Sequence, residues 1–216
     1  MKKASQEFYP IFLKIKGKRC IVVGGGEVAR RKVKALLECG AGVEVISPDP
    51  CREINQLVEA GEVKLLRRGY QPGDLQGALI AIAATDDSRI NRQVVKEAQE
   101  KAVLVNVADD AEDSDFILPS YLRRGALSIA VSTGGVSPAL ARKIRTRLEK
   151  DFGDEYASLV RLVGEVRAEL KRQKVKFSGD DWQVALDLDF MLDLLKKGEE
   201  KKARAFLLER LMGTKR

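Results

Sequence analysis

The chain contains no histidine among its 216 residues, and this absence removes several kinds of chemistry. A serine–histidine–aspartate or cysteine–histidine arrangement cannot be built without histidine, and the commonest protein ligand of transition metals is missing. Any proton transfer must therefore use a carboxylate, a lysine, a tyrosine, a cysteine or water.

Cysteine is scarce, and long apolar runs are absent. The three cysteines (Cys20, Cys39 and Cys51) have neither paired spacing nor an even count, which argues against a disulfide scaffold or a zinc ribbon. No apolar run reaches the roughly 18 residues of a membrane helix, and residues 1–7 lack the apolar core of a secretory signal. We therefore expect no resident metal, no membrane partner and a cytoplasmic location.

Aromatic residues make up only 6% of a chain whose net charge is +7. The positive charge fits either a nucleic acid or a polyanionic small substrate, and charge alone does not decide between them. Nucleic-acid binders usually carry dense arginine runs with interleaved aromatic residues, which this sequence lacks. We therefore expect a small-molecule partner and no nucleic acid.

One stretch, residues 20–29, organises the rest of the chain. A buried strand runs to Val23, a glycine turn follows, and a helix begins near Glu27. Gly24, Gly26 and Ala29 occupy the three small-residue positions of the dinucleotide fingerprint. Gly24 permits the sharp turn, Gly26 lets the backbone approach a pyrophosphate, and Ala29 lets the helix sit against the strand. The free N–H groups at the helix N-terminus would hold the phosphates.

Strands and helices alternate from residue 20 to residue 107. This pattern predicts an α/β fold with a doubly wound parallel sheet of the Rossmann type, in the order 3-2-1-4-5. Ligands of such sheets bind beyond the carboxyl ends of the strands. The strand tips to consider are 24–28, Pro48–Asp49, Thr85–Asp86 and 108–110. Asp49 favours NAD over NADP, although Arg52 lies close by in the sequence.

The pattern changes after the sheet. An acidic loop is followed by two short strands joined through Arg123-Arg124-Gly125, which cannot extend a parallel sheet because no crossover helix separates them. A second glycine turn precedes a helix expected to begin at Pro138 and to bury Leu140, Ile144 and Leu148. We therefore predict a dinucleotide domain over 1–113, a small α+β dimerisation unit over 114–150 and a helical region over 151–216. Two later apolar stripes are expected to pack in the helical region, and they contain Val184, Leu188, Met191, Leu192 and Leu195 in one and Ala203, Phe206, Leu207 and Leu211 in the other.

Asp109 follows the fifth predicted strand directly. In this topology a carboxylate at that position lies near a nicotinamide, and partial desolvation would let it act as a general base; the alternative is an ordinary loop acid in water. The acidic loop does not fit a calcium-binding EF-hand, which needs a glycine at its sixth position and a glutamate at its twelfth.

Several motifs in a fixed order resemble the precorrin-2 dehydrogenase and sirohydrochlorin ferrochelatase family, the dehydrogenase module of siroheme synthase. The motifs are Phe12-Leu13, the glycine segment 22–32, Ala-Ala-Thr-Asp-Asp at 83–87, Asn-Val-Ala-Asp at 106–109, Asp-Phe-Ile-Leu-Pro at 115–119 and the segment 132–142. The resemblance covers about residues 8–150 densely and the remainder only in length and helicity.

The resemblance implies NAD-dependent oxidation of precorrin-2 to sirohydrochlorin by a homodimer, with ferrous iron as a co-substrate in some members. The family's essential aspartate matches Asp109. Its dinucleotide contacts match Glu27-Val28 and Pro48-Asp49, and a serine of some members is replaced here by Thr133. The expected site residues are, for catalysis, Asp109; for the cofactor, Gly24, Gly26, Glu27, Val28, Pro48, Asp49 and Thr85; and for the polycarboxylate substrate, Thr133, Gly134, Arg142 and Arg145. The alternative function is a non-catalytic NAD-sensing module.

Overall fold

A computed structural model of the chain describes residues 8–108 and 110–214. Two of the predictions, the polar N-terminal segment 1–7 and the general base Asp109, lie outside the described residues. The chain divides into two compact units, with the division between Leu118 and Pro119. The three-part domain division stays a prediction.

The first unit is a five-stranded parallel sheet whose strands are joined by helices, except that a non-helical segment, residues 67–79, joins the third strand to the fourth. The strand order β3-β2-β1-β4-β5 confirms the predicted order. The elements are β1 (Arg19–Val23), α1 (Glu27–Glu38), β2 (Gly42–Ile46), α2 (Arg52–Glu59), β3 (Val63–Leu66), β4 (Ile80–Ala83), α3 (Ser88–Lys101) and β5 (Leu104–Val107).

Both faces of this sheet are covered, which explains why β4 is apolar throughout and β1 is apolar after Arg19. Cys20 and Val22 of β1 pack on one face in the same cluster as Ala29 and Val33 of α1. Ile21 and Val23 of β1, with alternate side chains on the opposite face, share a cluster with Val94 and Ala98 of α3. The helices thereby fix the ends of β1 and β4 at which the site residues lie.

The second unit contains a two-stranded antiparallel sheet and five helices, as the change of pattern predicts. Its elements are β6 (Ser120–Arg124), β7 (Leu127–Val131), α4 (Pro138–Asp151), α5 (Glu155–Arg172), α6 (Gly179–Ala185), α7 (Leu188–Lys196) and α8 (Glu200–Gly213). Gly125 joins the two strands with a φ of +57°, in the left-handed region that glycine adopts at low cost. The helices α5, α7 and α8 share one apolar core.

Two predicted burial patterns are wrong. Leu140 and Ile144 of α4 are 51% and 39% exposed, because within the second unit α4 presents that stripe to solvent and buries only Ala141. Val184 and Leu188 are also exposed. The predicted stripe that contains Val184 and Leu188 crosses the break between α6 and α7. The helical period on which that prediction depends therefore does not continue along the whole stripe.

Within residues 8–108 and 110–214, every helix is either too short or too polar to span a bilayer.

Candidate functional site

Gly24 begins the turn between β1 and α1 in a conformation that other residues rarely adopt. Its φ is +126°, and its N–H donates to the carbonyl oxygen of Ile46 at 2.9 Å. A Cβ on Gly24 would lie 2.7 Å from the carbonyl carbon of Ala84 and closer still to its oxygen. Glycine is therefore required here for both its backbone freedom and its lack of a side chain.

Gly25 is as tightly packed as Gly24, although the fingerprint does not single it out. A Cβ on Gly25 would lie 2.7 Å from both the Asp49 carbonyl oxygen and the Pro50 Cα. The Gly25 carbonyl accepts a hydrogen bond of 2.8 Å from the N–H of Cys51. The glycine turn is thus held against the loop that follows β2, and the predicted residue Asp49 lies beside it through its backbone.

Gly26 differs from its two neighbours because the space around it is open. Among residues 8–108 and 110–214, no atom lies within 4 Å of a Cβ built on Gly26, and the residue is exposed. It is the N-cap of α1, and no side chain in the described part of the chain caps that helix end. The first N–H groups of the helix have no intrahelical partner, so this end presents donors and a positive dipole to an anion.

Glu27 and Val28 follow at the first turn of α1. The Glu27 carboxylate is ion-paired with Arg30, whose hydrogen bond lowers the pKa of this exposed carboxyl. Val28 is half-buried. Pro48 and Asp49 are exposed, and the Asp49 N–H donates to the Ser47 hydroxyl at 3.3 Å.

Thr85 lies directly after Ala84, on the other side of the glycine turn. Its hydroxyl donates to Asn91 Oδ1 at 2.8 Å, and Asn91 Nδ2 donates back to the Thr85 carbonyl at 3.0 Å. Asp87 accepts the N–H of Arg89 at 2.8 Å, which makes it the N-cap of α3. Hydrogen bonding to Arg89 lowers the pKa of Asp87 to about 2.

The residues that flank Asp109 are fixed by the sheet and by a tight acidic turn. The Ala108 N–H donates to the Ala83 carbonyl at 2.8 Å. Asp110 Oδ1 accepts the N–H groups of Glu112 and Asp113 at 3.0 and 3.2 Å. A small cavity of about 260 Å³ is lined by Ala108 together with Val28, Arg31 and Lys32 of α1.

Ser114 and Asp115, which follow the acidic turn, bind the free edge of β5 through their side chains. The Asp115 carboxylate accepts the Val105 N–H at 2.8 Å, and the Ser114 hydroxyl accepts the Val107 N–H at 2.9 Å. These side chains replace the strand that would otherwise satisfy this edge. Sequence reasoning missed this role, although a short polar residue a few positions after a strand is the available signal.

Asn106 is a further polar residue that sequence reasoning did not select. Its side chain is buried within β5, and Nδ2 donates to the Phe116 carbonyl at 2.9 Å. Within the described part of the chain, its buried Oδ1 has no hydrogen-bond partner. A buried acceptor without a donor is costly, so Asn106 presents an oxygen that a ligand could satisfy.

The predicted substrate residues lie in the second unit. Thr133 Oγ1 accepts the Ser137 N–H at 3.0 Å, and Gly134 adopts a φ of +61° in the same turn. Arg142 is exposed on α4, whereas Arg145 forms an ion pair with Glu149 one helical turn further on. This turn therefore positions Thr133 and Gly134 at the N-terminal end of the helix that carries both arginines.

The sheet order and the glycine turn define the first unit as a dinucleotide-binding domain of the Rossmann type. The chain belongs to the family described as putative NAD(P)-binding, whose sequence model matches residues 11–120. A second family model, described as the central part of sirohaem biosynthesis proteins, matches residues 124–150.

Proteins similar in sequence to this chain are consistent with the two family models. The siroheme synthase of Chromobacterium violaceum is 41% identical over 95% of this chain, and that of Photorhabdus laumondii is 36% identical over 95%. The chain spans 44% of the length of each of these two proteins. The solved structure of SirC, a precorrin-2 dehydrogenase, has a TM-score of 0.70 at 28% identity and covers 94% of this chain and 98% of that one. The resemblance that the ordered motifs indicate is therefore confirmed.

Proposed function

We propose that this chain oxidises precorrin-2 to sirohydrochlorin with NAD as the cofactor. The glycine turn carries the proposal, because Gly24 and Gly25 exclude side chains while Gly26 opens onto an uncapped helix end. The likeness to a solved precorrin-2 dehydrogenase over almost its whole length supports this particular reaction.

The residues of the first unit fit a dinucleotide. The N–H groups at Gly26, Glu27 and Val28 would hold the pyrophosphate. A side chain at Gly24 or Gly25 would clash with the backbone and disrupt the turn that presents these groups. Pro48 and Asp49 would border the adenosine ribose, and the Asp49 carboxylate disfavours the extra phosphate of NADP. When bound, NAD supplies the hydride acceptor.

Thr85 and Asn106 would lie towards the reactive end of the cofactor, because Thr85 follows β4 and Asn106 lies near the carboxyl end of β5. The Thr85 hydroxyl is held by Asn91, so its position is set before a ligand arrives. The unpartnered Asn106 Oδ1 can accept a hydrogen bond from an amide of a bound ligand.

Asp109 is the proposed general base. Dehydrogenation removes a hydride and a proton from the substrate, and only the hydride leaves on the cofactor. With no histidine in the chain, a carboxylate directly after β5 is a suitable acceptor for the proton.

Cations would balance the carboxylates of the macrocycle. Arg31 and Lys32 line the cavity beside Ala108, which supports a role for α1 in anion binding. Thr133, Gly134, Arg142 and Arg145 are the proposed substrate contacts of the second unit. Arginine suits this task because its guanidinium binds a carboxylate through two parallel hydrogen bonds.

The active form is proposed to be a cytoplasmic homodimer that pairs through residues 114–150, between a dinucleotide domain and a helical region. The exposed apolar stripe of α4 supports this assembly, since Leu140 and Ile144 are 51% and 39% exposed in the single chain, and Val136 in the turn before α4 is 86% exposed. An apolar surface of this kind is typical of a protein interface.

Insertion of ferrous iron into sirohydrochlorin is the second candidate activity. It is favoured by the names of the relatives, which are siroheme synthases. Iron would be a substrate here, and Asp109 would accept pyrrole protons as the metal enters.

The decisive experiment follows the absorbance of reduced nicotinamide while the protein is incubated anaerobically with precorrin-2 and NAD. The proposed enzyme reduces NAD in proportion to the sirohydrochlorin formed, whereas a cofactor-sensing module binds NAD without turnover. Binding of NAD with no absorbance change would overturn the proposal. A parallel incubation of sirohydrochlorin with ferrous ion and no NAD tests chelation separately.

A further inference from the structure

A large cavity in the second unit lies outside every residue assigned above. It has a volume of about 760 Å³ and is formed by α5, α6 and the loop between them. This volume falls within the roughly 300–1,000 Å³ of small-molecule sites. Its lining includes the aromatic residue Trp182 and the apolar residues Leu170 and Val175.

Four cations surround this apolar surface. Arg167, Lys171, Lys174 and Lys176 all line the cavity. Within the described residues, the structure gives none of the four side chains an ion-pair partner. Like charges gathered without counterions repel one another, so this arrangement favours an anionic ligand.

Other cations of the helical region are mostly neutralised. Lys196 pairs with Glu155 at 3.4 Å, and Lys202 pairs with Glu199 at 2.7 Å. Arg204 pairs with Glu169. Among the described residues of the helical region, the cations outside the cavity that also lack an ion pair are Arg172, Lys201 and Arg210, whereas all four cations that line the cavity lack one. Unpaired positive charge is therefore more concentrated at the cavity than elsewhere in this region, which favours a site over a uniformly basic surface.

Lys174 adds an independent observation. It has a φ of +57° and closes α5 in a Schellman motif, in which the Val175 N–H donates to the Leu170 carbonyl at 2.9 Å. Glycine is the usual residue at this position, because a side chain in the left-handed conformation is strained. The lysine at this position places a fourth cation at the cavity and lowers the stability of the fold. Backbone strain of this kind is often found at functional sites.

We propose that this cavity binds a small aromatic compound bearing several acid groups. Trp182 and the apolar wall would contact its rings, while Arg167, Lys171, Lys174 and Lys176 would bind its acid groups. The site belongs to the second unit alone, so its existence does not depend on dehydrogenase activity.

The chain offers a direct reporter, since Trp182 is its single tryptophan. We expect iodide to quench Trp182 fluorescence more strongly than caesium, because the four cations concentrate an anionic quencher. Protection of Trp182 from both ions would show that the cavity is closed to solutes in solution, and it would overturn the proposal.

The binding probe is bis-anilinonaphthalene sulfonate, an aromatic compound with two acid groups, titrated against the full chain with Trp182 fluorescence as the signal. Neutral phenylnaphthylamine is the comparison probe.

In the Lys171→Ser, Lys176→Ser double variant we expect about tenfold weaker binding of the sulfonate probe, because two charge contacts are lost, and little change for the neutral probe. The Lys196→Ser, Lys202→Ser variant is matched in net charge and should bind the sulfonate probe within about twofold of the parent. Equal weakening by both double variants would show nonspecific attraction and would refute the site.

The Lys174→Gly variant distinguishes an effect on probe binding from an effect on the stability of the fold. Relief of the left-handed strain should raise the melting temperature by about 2 °C, while the affinity for the sulfonate probe falls about threefold. Ala102→Gly is the matched control, because Ala102 also has a positive φ, at the C-cap of α3. That variant should change the melting temperature in the same direction and leave probe binding unchanged. Undiminished binding by Lys174→Gly would exclude Lys174 from the site.

Competition identifies the source of the ligand chemistry. Displacement of the sulfonate probe by a polycarboxylate porphyrin supports a tetrapyrrole ligand, and displacement by ATP supports a nucleotide. Displacement by neither compound would overturn the proposed ligand class.

Discussion

Gly24 faces the Ala84 carbonyl so closely that a methyl group on Gly24 would lie 2.7 Å from its carbon atom. This contact joins the turn after β1 to the end of β4, and with the Gly25 contact to Pro50 it makes the turn a rigid junction of three strand ends. These contacts therefore fix the position of Gly26, beside which the space is open.

The first prediction separates folding from cofactor binding at this turn. Gly24→Ala meets both a positive φ and the Ala84 carbonyl, so it should destabilise the protein by about 2 kcal/mol or more and abolish NAD binding. Gly26→Ala adds a methyl group to open space at a φ of −80°, so the melting temperature should change little. If phosphate approaches there, the affinity for NAD should still fall about tenfold or more. Thermal melting and NAD titration of both variants test this, and unchanged NAD affinity in Gly26→Ala would contradict the proposed approach.

The second prediction concerns the general base. Asp109→Asn should lower the rate of precorrin-2 oxidation by roughly 100-fold or more, because the proton loses its acceptor, while NAD affinity stays the same. Asp113→Asn is the matched control, since it neutralises an exposed carboxylate of the same acidic turn. Near-parental turnover by Asp109→Asn would show that another group takes the proton.

The third prediction tests the closure of the edge of β5. Asp115→Ala leaves the Val105 N–H without its 2.8 Å acceptor and should lower the free energy of unfolding by about 1–3 kcal/mol. Ser114→Ala, which removes the acceptor of the Val107 N–H, should have a similar effect. Urea unfolding measures both changes, with Asp113→Ala as the control. Stabilities equal to that of the control would show that these side chains do not hold the turn.

The fourth prediction is a dependence of stability on pH at the start of α3. The folded pKa of Asp87 is lowered from 3.8 to about 2, chiefly by hydrogen bonding to Arg89. The ionised carboxylate therefore contributes stability above pH 3.8, and this contribution is lost as the pH falls from about 4 towards 2. Asp87→Asn retains an N-cap side chain without the charge. Its deficit in melting temperature relative to the parent should shrink as the pH is lowered through this range, and a constant deficit would contradict the assignment.

The fifth prediction concerns the exposed stripe of α4. A Leu140→Glu, Ile144→Glu double variant should give a monomer in which the melting temperature of the first unit is retained, because two charges in an apolar interface cannot be desolvated cheaply. Val184→Glu, at a 61% exposed position on α6, is the control and should stay dimeric. Light scattering after gel filtration measures the mass, and a double variant of dimer mass would place the interface elsewhere.

Much of the dinucleotide domain could be predicted because its signals are local. The alternation of apolar strands with amphipathic helices was sufficient to predict the strand order. The glycine turn was also recognisable, because its small residues lie close together in the chain, between an apolar strand and a helix.

The burial of the α4 stripe could not be predicted in the same way. The spacing of Leu140 and Ile144 shows that they share one helix face, but burial depends on which distant element covers that face. The stripe that crosses from α6 to α7 failed for a related reason, because the helical period ends where the first helix ends.

The sequence by itself therefore determined the order of the sheet, the position of the dinucleotide turn and the candidate base after β5, since each depends on neighbours in the chain. Only the tertiary structure decided that Gly25 packs on Pro50 and that Asp115 closes the edge of β5. It also decided that four cations without an ion pair among the described residues line one cavity with Trp182. These features depend on contacts between residues that folding brings together, and local spacing carries no record of such contacts.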